Sequence, residues 1–243
     1  MLRDQAFAMP TVYISAHTAD PGETGTSELA GGNYARVAAP TFAAPASRAI
    51  VSSSAVTFPL MVAAVGTITH IALWDAMSAG NLLWYSSALG SSIATAVGIS
   101  PVIASGAITI TLNGEISTYL SHALLNHTFR GVEYTRPGTS IYTSLHTADP
   151  GLTGASEVSG NAYARVNVTA WDAPSNGATA NTNNITYPTP TPSDWGTITH
   201  KGIWDASTGG NFLIAANLDS AGTPTTAEIA ITDGVGGFDV VVQ

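Results

Sequence analysis

Polar and apolar residues alternate in short stretches over most of the chain, the period-two signature of half-buried β-strands. Thr11–Ser15 and Ile141–Leu145 are first strands, each running into His-Thr-Ala-Asp-Pro-Gly. Asp at the first turn position, Pro at the second and Gly at the third predict a type II turn at Asp20-Pro21-Gly22 and again at Asp149-Pro150-Gly151. Second strands follow at Tyr34–Val37 and Tyr163–Val166. A low-charge loop rich in Ala, Ser and Asn then leads to Ala55–Pro59 and Asn184–Pro188. The clearest strand is Thr67–Trp74, matched by Thr197–Trp204; its pattern puts Ile68, His70, Ala72 and Trp74 on one side and Thr67, Thr69, Ile71 and Leu73 on the other. Asp75 opens a turn ending at Gly80-Asn81, after which Leu82–Tyr85 pairs back as a hairpin. Val102–Ala104 with Ala107–Leu112, and Glu228–Thr232 with Phe238–Val242, complete the strands.

These elements come in two copies. Val12–Val37 and Ile141–Val166 share seventeen of 26 positions at an offset of 129. Gly66–Asp75 and Gly196–Asp205 correspond at an offset of 130, so one net inserted residue separates the blocks. The period is far longer than that of a solenoid or propeller blade, and each copy of roughly 105–115 residues can bury its own core. Between the copies alone is there a helical period. Leu120, Ala123, Leu124 and His127 fall at i, i+3, i+4 and i+7, with Ser117 as N-cap and Gly131 at the C-terminal left-handed position. The expected architecture is all-β: two tandem antiparallel β-sandwiches (jelly-roll or Ig-like) at residues 1–116 and 132–243, joined by one short amphipathic helix over residues 117–131. The first copy lacks such a leading helix, and its bare edge is an expected place for subunit contact.

Composition narrows the function. Charged residues are 9% of the chain against 45% hydrophobic, so the surface is built from Ser, Thr, Asn, Gly and Ala. Such a surface suits packing against neighbouring subunits, because few charges need partners there. Seven Lys and Arg against sixteen Asp and Glu give a net charge of −9, and no basic run offers a site for a nucleic-acid backbone or an anionic membrane. Cys is absent, which removes disulfides and thiolate chemistry. Met1–Pro10 has no apolar core of signal-peptide length, and Ala76–Gly114, though uncharged, is too interrupted by Ser, Gly, Asn and Pro to read as a membrane span.

Both copies retain His17/His146, Asp20/Asp149, Glu28/Glu157, Arg36/Arg165, His70/His200 and Asp75/Asp205. Glu28 with Arg36 suits a partly buried bidentate pair tying a loop to the second strand; the functional alternative is an Arg holding a ligand carboxylate or phosphate. His17 with Asp20, or His70 with Asp75, lacks the three or four converging ligands that zinc takes and the oxygen count of a calcium loop. His122 and His127, five apart, do not share a helix face. There is no Gly-x-Ser-x-Gly elbow and no phosphate loop between a strand and a helix. No catalytic, cofactor-binding or metal-binding residue is therefore assigned. Trp74 and Trp204 suit core packing, whereas Trp84 and Trp195 are candidates for exposure. Asn167-Val-Thr169 matches the glycosylation pattern.

The runs Leu145-His-Thr-Ala-Asp-Pro-Gly151, Thr153-Gly-Ala-Ser-Glu-Val-Ser-Gly160, Tyr163-Ala-Arg-Val166 and Trp195-Gly-Thr-Ile-Thr-His-Lys-Gly-Ile-Trp-Asp205 together resemble a family of tailed-bacteriophage virion structural proteins, tail-fibre-like or head-decoration-like. The resemblance spans Tyr119 to the end and, nearly as well, Val12–Leu112; Ala16, Ala72 and Val65 of the first copy depart from Leu145, Gly202 and Trp195 of the second. It implies a non-enzymatic protein on the particle surface, in the virion, whose partners are the major capsid protein or tail proteins and, as a homo-oligomer, itself. A capsid decoration protein or head fibre is the first expectation, since no coiled-coil shaft is present. A tail fibre is the alternative. A glycan- or receptor-binding module using Asn161, Trp171 or Trp195 is the rival from another class, and a hydrolase dependent on His70 and His200 is the third.

Overall fold

A computed structural model describes residues 9–135, 140–175, 178–223, 232–233 and 239–241. Its first module contains β1 (Tyr13–His17), β2 (Val37–Ala38), β3 (Ala49–Val51), β4 (Val56–Thr57), β5 (Thr67–Ile68), β6 (His70–Trp74), β7 (Leu82–Tyr85), β8 (Ile93–Ala94), β9 (Val102–Ile103) and β10 (Thr109–Thr111). Helix α1 is Thr118–Arg130. The second module contains β11 (Ile141–His146), β12 (Val166–Val168), β13 (Ala178–Ala180), β14 (Ile185–Thr186), β15 (Ile198–Trp204), β16 (Phe212–Gly222), β17 (Thr232–Asp233) and β18 (Asp239–Val241). The protein is all-β with two tandem modules; among the described residues there is one α-helix, and every strand pairing is antiparallel.

Each module is organised around one four-stranded sheet, β2-β1-β6-β7 in the first and β12-β11-β15-β16 in the second. Two-stranded pairs surround it: β3 with β10, β4 with β9 and β5 with β8, then β13 with β18 and β14 with β17. β3 and β13 lie in the stretch whose Ala/Ser/Asn composition reads as loop. The expected strands at Tyr34 and Tyr163 begin only at Val37 and Val166, because the preceding side chains leave the sheet to make the contacts described below. Of the expected last pair, Thr232 and Asp239–Val241 fall among the described residues, Thr232 with Asp233 forming β17; Glu228–Ile231, Phe238 and Val242 lie outside them.

The alternation expected along Thr67–Trp74 does not appear as one wet and one dry face. Ile71, Ala72, Leu73 and Trp74 are all buried, and so are their counterparts from Lys201 to Trp204. A central strand covered on both sides has no solvent face, so its period-two signal fades. The backbone also changes partner at Thr69, pairing with β8 before it and with β1 and β7 after it.

The helix forms where expected. Leu120 donates its backbone N–H to Ser117 Oγ at 3.0 Å, and Gly131 has φ 64°. It does not carry one apolar stripe, however. Its first half, Thr118–Leu124, belongs to a compact unit with the second module, and its second half, from Leu125, to one with the first. In the first of these units Leu120 is buried in the core with Leu145, Trp171, Tyr187 and Ile203, and Leu124 packs on that core. In the other, Leu125 is buried and Phe129 meets Phe42 at 5.6 Å between ring centroids. At about 100° per residue, Leu120 with Leu124 and Leu125 with Phe129 are two separate stripes.

Comparing the copies exposes a compensated exchange. A Cβ on Gly202 would lie 2.5 Å from the Phe212 ring and 2.8 Å from Ser144 Oγ. The first module has Ala72, fully buried, at that position, with Leu82 where the second has Phe212. The smaller Leu leaves room for the methyl group; the larger Phe takes it. Gly202→Ala should destabilise the second module by about 1–3 kcal/mol through overpacking. Phe212→Leu in the same chain should recover most of that loss, giving a coupling energy of about 1 kcal/mol in a thermal or urea double-mutant cycle. Additive costs would show that the two positions do not share the space.

Candidate functional site

The polar residues kept in both copies, other than Asp20/Asp149, His70/His200 and their turns, converge on one cluster per module. Glu28 is brought beside β1 by backbone pairing with His17, so the Thr18–Leu29 loop continues the sheet beyond β2. At the start of this loop Gly22 donates its N–H to Asp20 Oδ1 at 2.9 Å, and Gly151 to Asp149 Oδ1 at 2.7 Å. Pro21 has ψ −26°, so the turn is not type II; a 3-10 turn over Gly22–Thr24 follows instead. The tighter path carries Gly25 against the edge of the Trp74 ring, beside Cζ2 and Cη2. A Cβ at Gly25, or at Gly154 over Trp204, would overlap the indole, and φ values of 70° and 81° suit glycine there.

Arg36 lies over the face of that indole. Its Cζ lies 3.7 Å from the Trp74 ring centroid, and Arg165 lies 3.5 Å from that of Trp204. The guanidinium forms a fork on Glu28: Nε donates to Oε1 at 2.9 Å and Nη2 to Oε2 at 2.7 Å. Nη1 donates to the carbonyls of Ala76 and Ala79 at 3.1 and 2.8 Å. Four of the five N–H donors of the side chain are thus engaged, and Arg36 is only 8% exposed. In the second module Arg165 repeats the fork on Glu157 at 2.7 Å for both bonds and reaches the carbonyls of Ala206 and Gly209. The carbonyls are held ready by Asp75, whose carboxylate accepts from the Asn81 N–H and side-chain amide at 2.6 and 2.7 Å. Asp205 and Asn211 do the same at 2.6 and 2.8 Å.

Two branches tie the cluster to β1. Tyr34 donates to Glu28 at 2.9 Å and accepts the Ala16 N–H at 2.9 Å; Tyr163 bridges Leu145 and Glu157 in the same way. Burial pushes both phenols well above the usual tyrosine range. Burial also opposes ionisation of Glu28, but the hydrogen bonds from Arg36 and Tyr34 outweigh it and hold its carboxyl below the usual range. On the other branch, Trp74 Nε1 donates to Ser15 Oγ at 2.8 Å, and Ser15 Oγ lies 2.7 Å from His17 Nε2. His17 Nδ1 is 2.7 Å from the Thr26 carbonyl, an acceptor only, so Nδ1 carries the proton and Ser15 donates to Nε2. Ser144, His146, Trp204 and Ala155 repeat this chain. The serine–histidine pair is sealed at 0% exposure, and a backbone carbonyl stands where a triad has its carboxylate.

The other expected residues lie elsewhere. His70 and His200 are half-buried beside His17 and His146 in register, each with Nδ1 on the preceding Thr hydroxyl. Trp195 is buried, against expectation: it stacks edge-on to Tyr163 at 5.3 Å and donates to the Asn161 carbonyl at 2.9 Å. Trp171 is a core residue, and the Asn161 amide is bonded to the Asp194 carbonyl. Trp84 is half-buried on β7. Ser15/Ser144, Gly25/Gly154, Tyr34/Tyr163 and Asn81/Asn211 are members that the sequence did not single out, although their identity between copies was visible. Among the described residues no group of three or more His, Asp or Glu is placed to hold a metal ion, and no helix is long and apolar enough to cross a membrane.

Replacing Arg36 by Leu leaves the Glu28 carboxylate half-buried without its partner and should cost about 3 kcal/mol; Arg36→Lys should recover less than half, since an ammonium cannot form the fork. Thermal unfolding of each variant measures this, and a loss under about 0.5 kcal/mol would reduce the pair to an ordinary surface contact. Acid should act through the histidines. Burial lowers the pKa of His17 and His146 from 6.5, so the unfolded chain takes up their protons first and stability falls as the pH drops below 6.5. The melting temperature should therefore decline between pH 7.5 and 5, above the carboxylate range. NMR should show two histidine rings titrating below 6.5, and a flat profile would contradict the neutral tautomer.

A family model described as Podophage GP4 fiber I protein gp80 matches residues 1–111 and 115–233, one segment for each copy of the duplicated module. No curated protein matches the chain. With both modules covered, the chain belongs to the podophage GP4 fiber I protein gp80 family of phage virion proteins.

Proposed function

We propose that the protein is a non-enzymatic fibre component displayed on the outside of the phage particle, held there by contacts with other virion proteins. The observation that carries this reading is the family match over both modules, whose printed description is of a fibre protein. The site geometry supports it. The duplicated Arg–Glu–Trp cluster uses its donors internally and closes its serine and histidine away from solvent, as a rigid building block requires. The glycan-binding reading loses support, because Asn161, Trp171 and Trp195 are engaged in packing.

A head-decoration role is the second reading, favoured by two compact β-modules and by the absence of a coiled-coil shaft among the described residues. Gold-conjugated antibody raised against this chain separates the two on purified virions. Gold on projections at the tail or neck is the expected result, whereas gold spread over the head would establish decoration. The protein free in the lysate with unlabelled particles would defeat both.

A further inference from the structure

The sheet of the second module is completed by an arm of chain that has no counterpart among the described residues of the first. Just before α1, residues 115–117 run along the outer edge of β16. Ala215 donates its N–H to the Glu115 carbonyl at 2.9 Å and Ser117 donates to the Leu213 carbonyl at 2.8 Å, with Ile116 opposite Ile214. At the start of the helix the Thr118 N–H donates to the Leu152 carbonyl at 3.4 Å. Tyr119 follows beside Asp205: burial, and then the Asp205 charge, push its phenol above the usual range. Phe212, Leu213 and Ala215 of the covered strand are buried, and Asp205 is only 2% exposed.

In the first module the corresponding edge is open among the described residues. β7 has β6 on one side and no strand on the other. The Ser86 N–H bonds the Ile71 carbonyl, so alternate residues face β6, and the β-bulge common to both modules sets Leu83 and Tyr85 at the positions of Leu213 and Ala215. The Leu83 carbonyl and the Tyr85 N–H therefore point away from the sheet. The side chains are uncovered to match: Leu82, Leu83 and Trp84 are half-buried, Tyr85 is 37% exposed, and Asp75 is half-buried where Asp205 is sealed. An open edge lined by large apolar residues is one that a fold otherwise shields with charge, proline or a covering segment.

We propose that the outer edge of β7 receives, by β-augmentation, a strand-and-helix arm from a different protein. The second module shows what that arm is: three extended residues with an apolar one in the middle, then a capped helix whose first turn carries a hydrogen-bond donor for Asp75, as Tyr119 lies beside Asp205. A second copy of this chain has no such arm to lend, because its own is already bound to β16. The Gly22–Thr24 turn lies against β7, and Glu23 stands there in place of Leu152. Its carboxylate suits the N-terminus of an incoming helix, the end that carries partial positive charge. That the donor is another virion protein rests on the function proposed above; the surface itself does not.

A fluorescently labelled peptide copying residues 113–124 is the probe, titrated with the purified full-length chain and followed by anisotropy. The wild type should bind it saturably. Tyr85→Pro removes the outward N–H at an edge position where proline leaves the strand intact, and should weaken binding by about tenfold or more. Trp84→Lys sets a charge opposite the place of Ile116; it should weaken binding as well, and guards against misfolding of the first variant. Both should keep the wild-type circular dichroism spectrum. A wild type that does not bind the peptide, or folded variants that bind it as the wild type does, would overturn the proposal. The titration reads the surface alone and the gold label reads the place on the particle, so the two readings can fail separately.

Discussion

The fork between an arginine and a glutamate, laid over a tryptophan, is the contact on which each module depends. It joins four pieces of chain that the sheet alone would leave apart: the loop after β1, the approach to β2, the end of β6 and the turn before β7. A planar, permanently charged group with five donors can bind a carboxylate and two carbonyls at once, with the indole beneath it. The β-bulge at Leu73/Trp74, repeated at Ile203/Trp204, is where the strand turns the ring into this position.

That arrangement explains why so charge-poor a chain keeps these charges. Two of its seven basic residues are spent on the two copies of one contact. Elsewhere hydroxyls and amides do the polar work, as in Ser15 between Trp74 and His17, or Thr95 accepting the Val65 and Gly66 N–H groups. The surface left over carries few charges, and those are mostly acidic. The two modules then diverge where packing allows. Val65 becomes Trp195, Ala72 becomes Gly202 and Leu60 becomes Thr189. The first two changes rearrange interior contacts, and the third alters only what faces solvent.

Much of this was legible in the sequence. Duplication gave the module and its elements, because identical spacing forces an identical path, and short strands between Gly and Pro turns gave the all-β class. The helix caps were readable because Ser117 and Gly131 act through local backbone geometry. The Glu28–Arg36 pair was readable because two rare charges recurred together. What the sequence could not settle was which side chains meet across long separations. Whether Trp195 lies in solvent or on Tyr163, whether Ser15 faces water or Trp74, and which stripe of the helix is buried are decided by neighbours brought in from other strands. Burial of β6 on both faces erased the alternation that would have announced its inner side, and the turn at Pro21 followed the close approach of Gly25 to the indole edge rather than its own local preference. Local backbone chemistry is written in adjacent residues; packing is written in pairs far apart, and only the tertiary structure brings those pairs together.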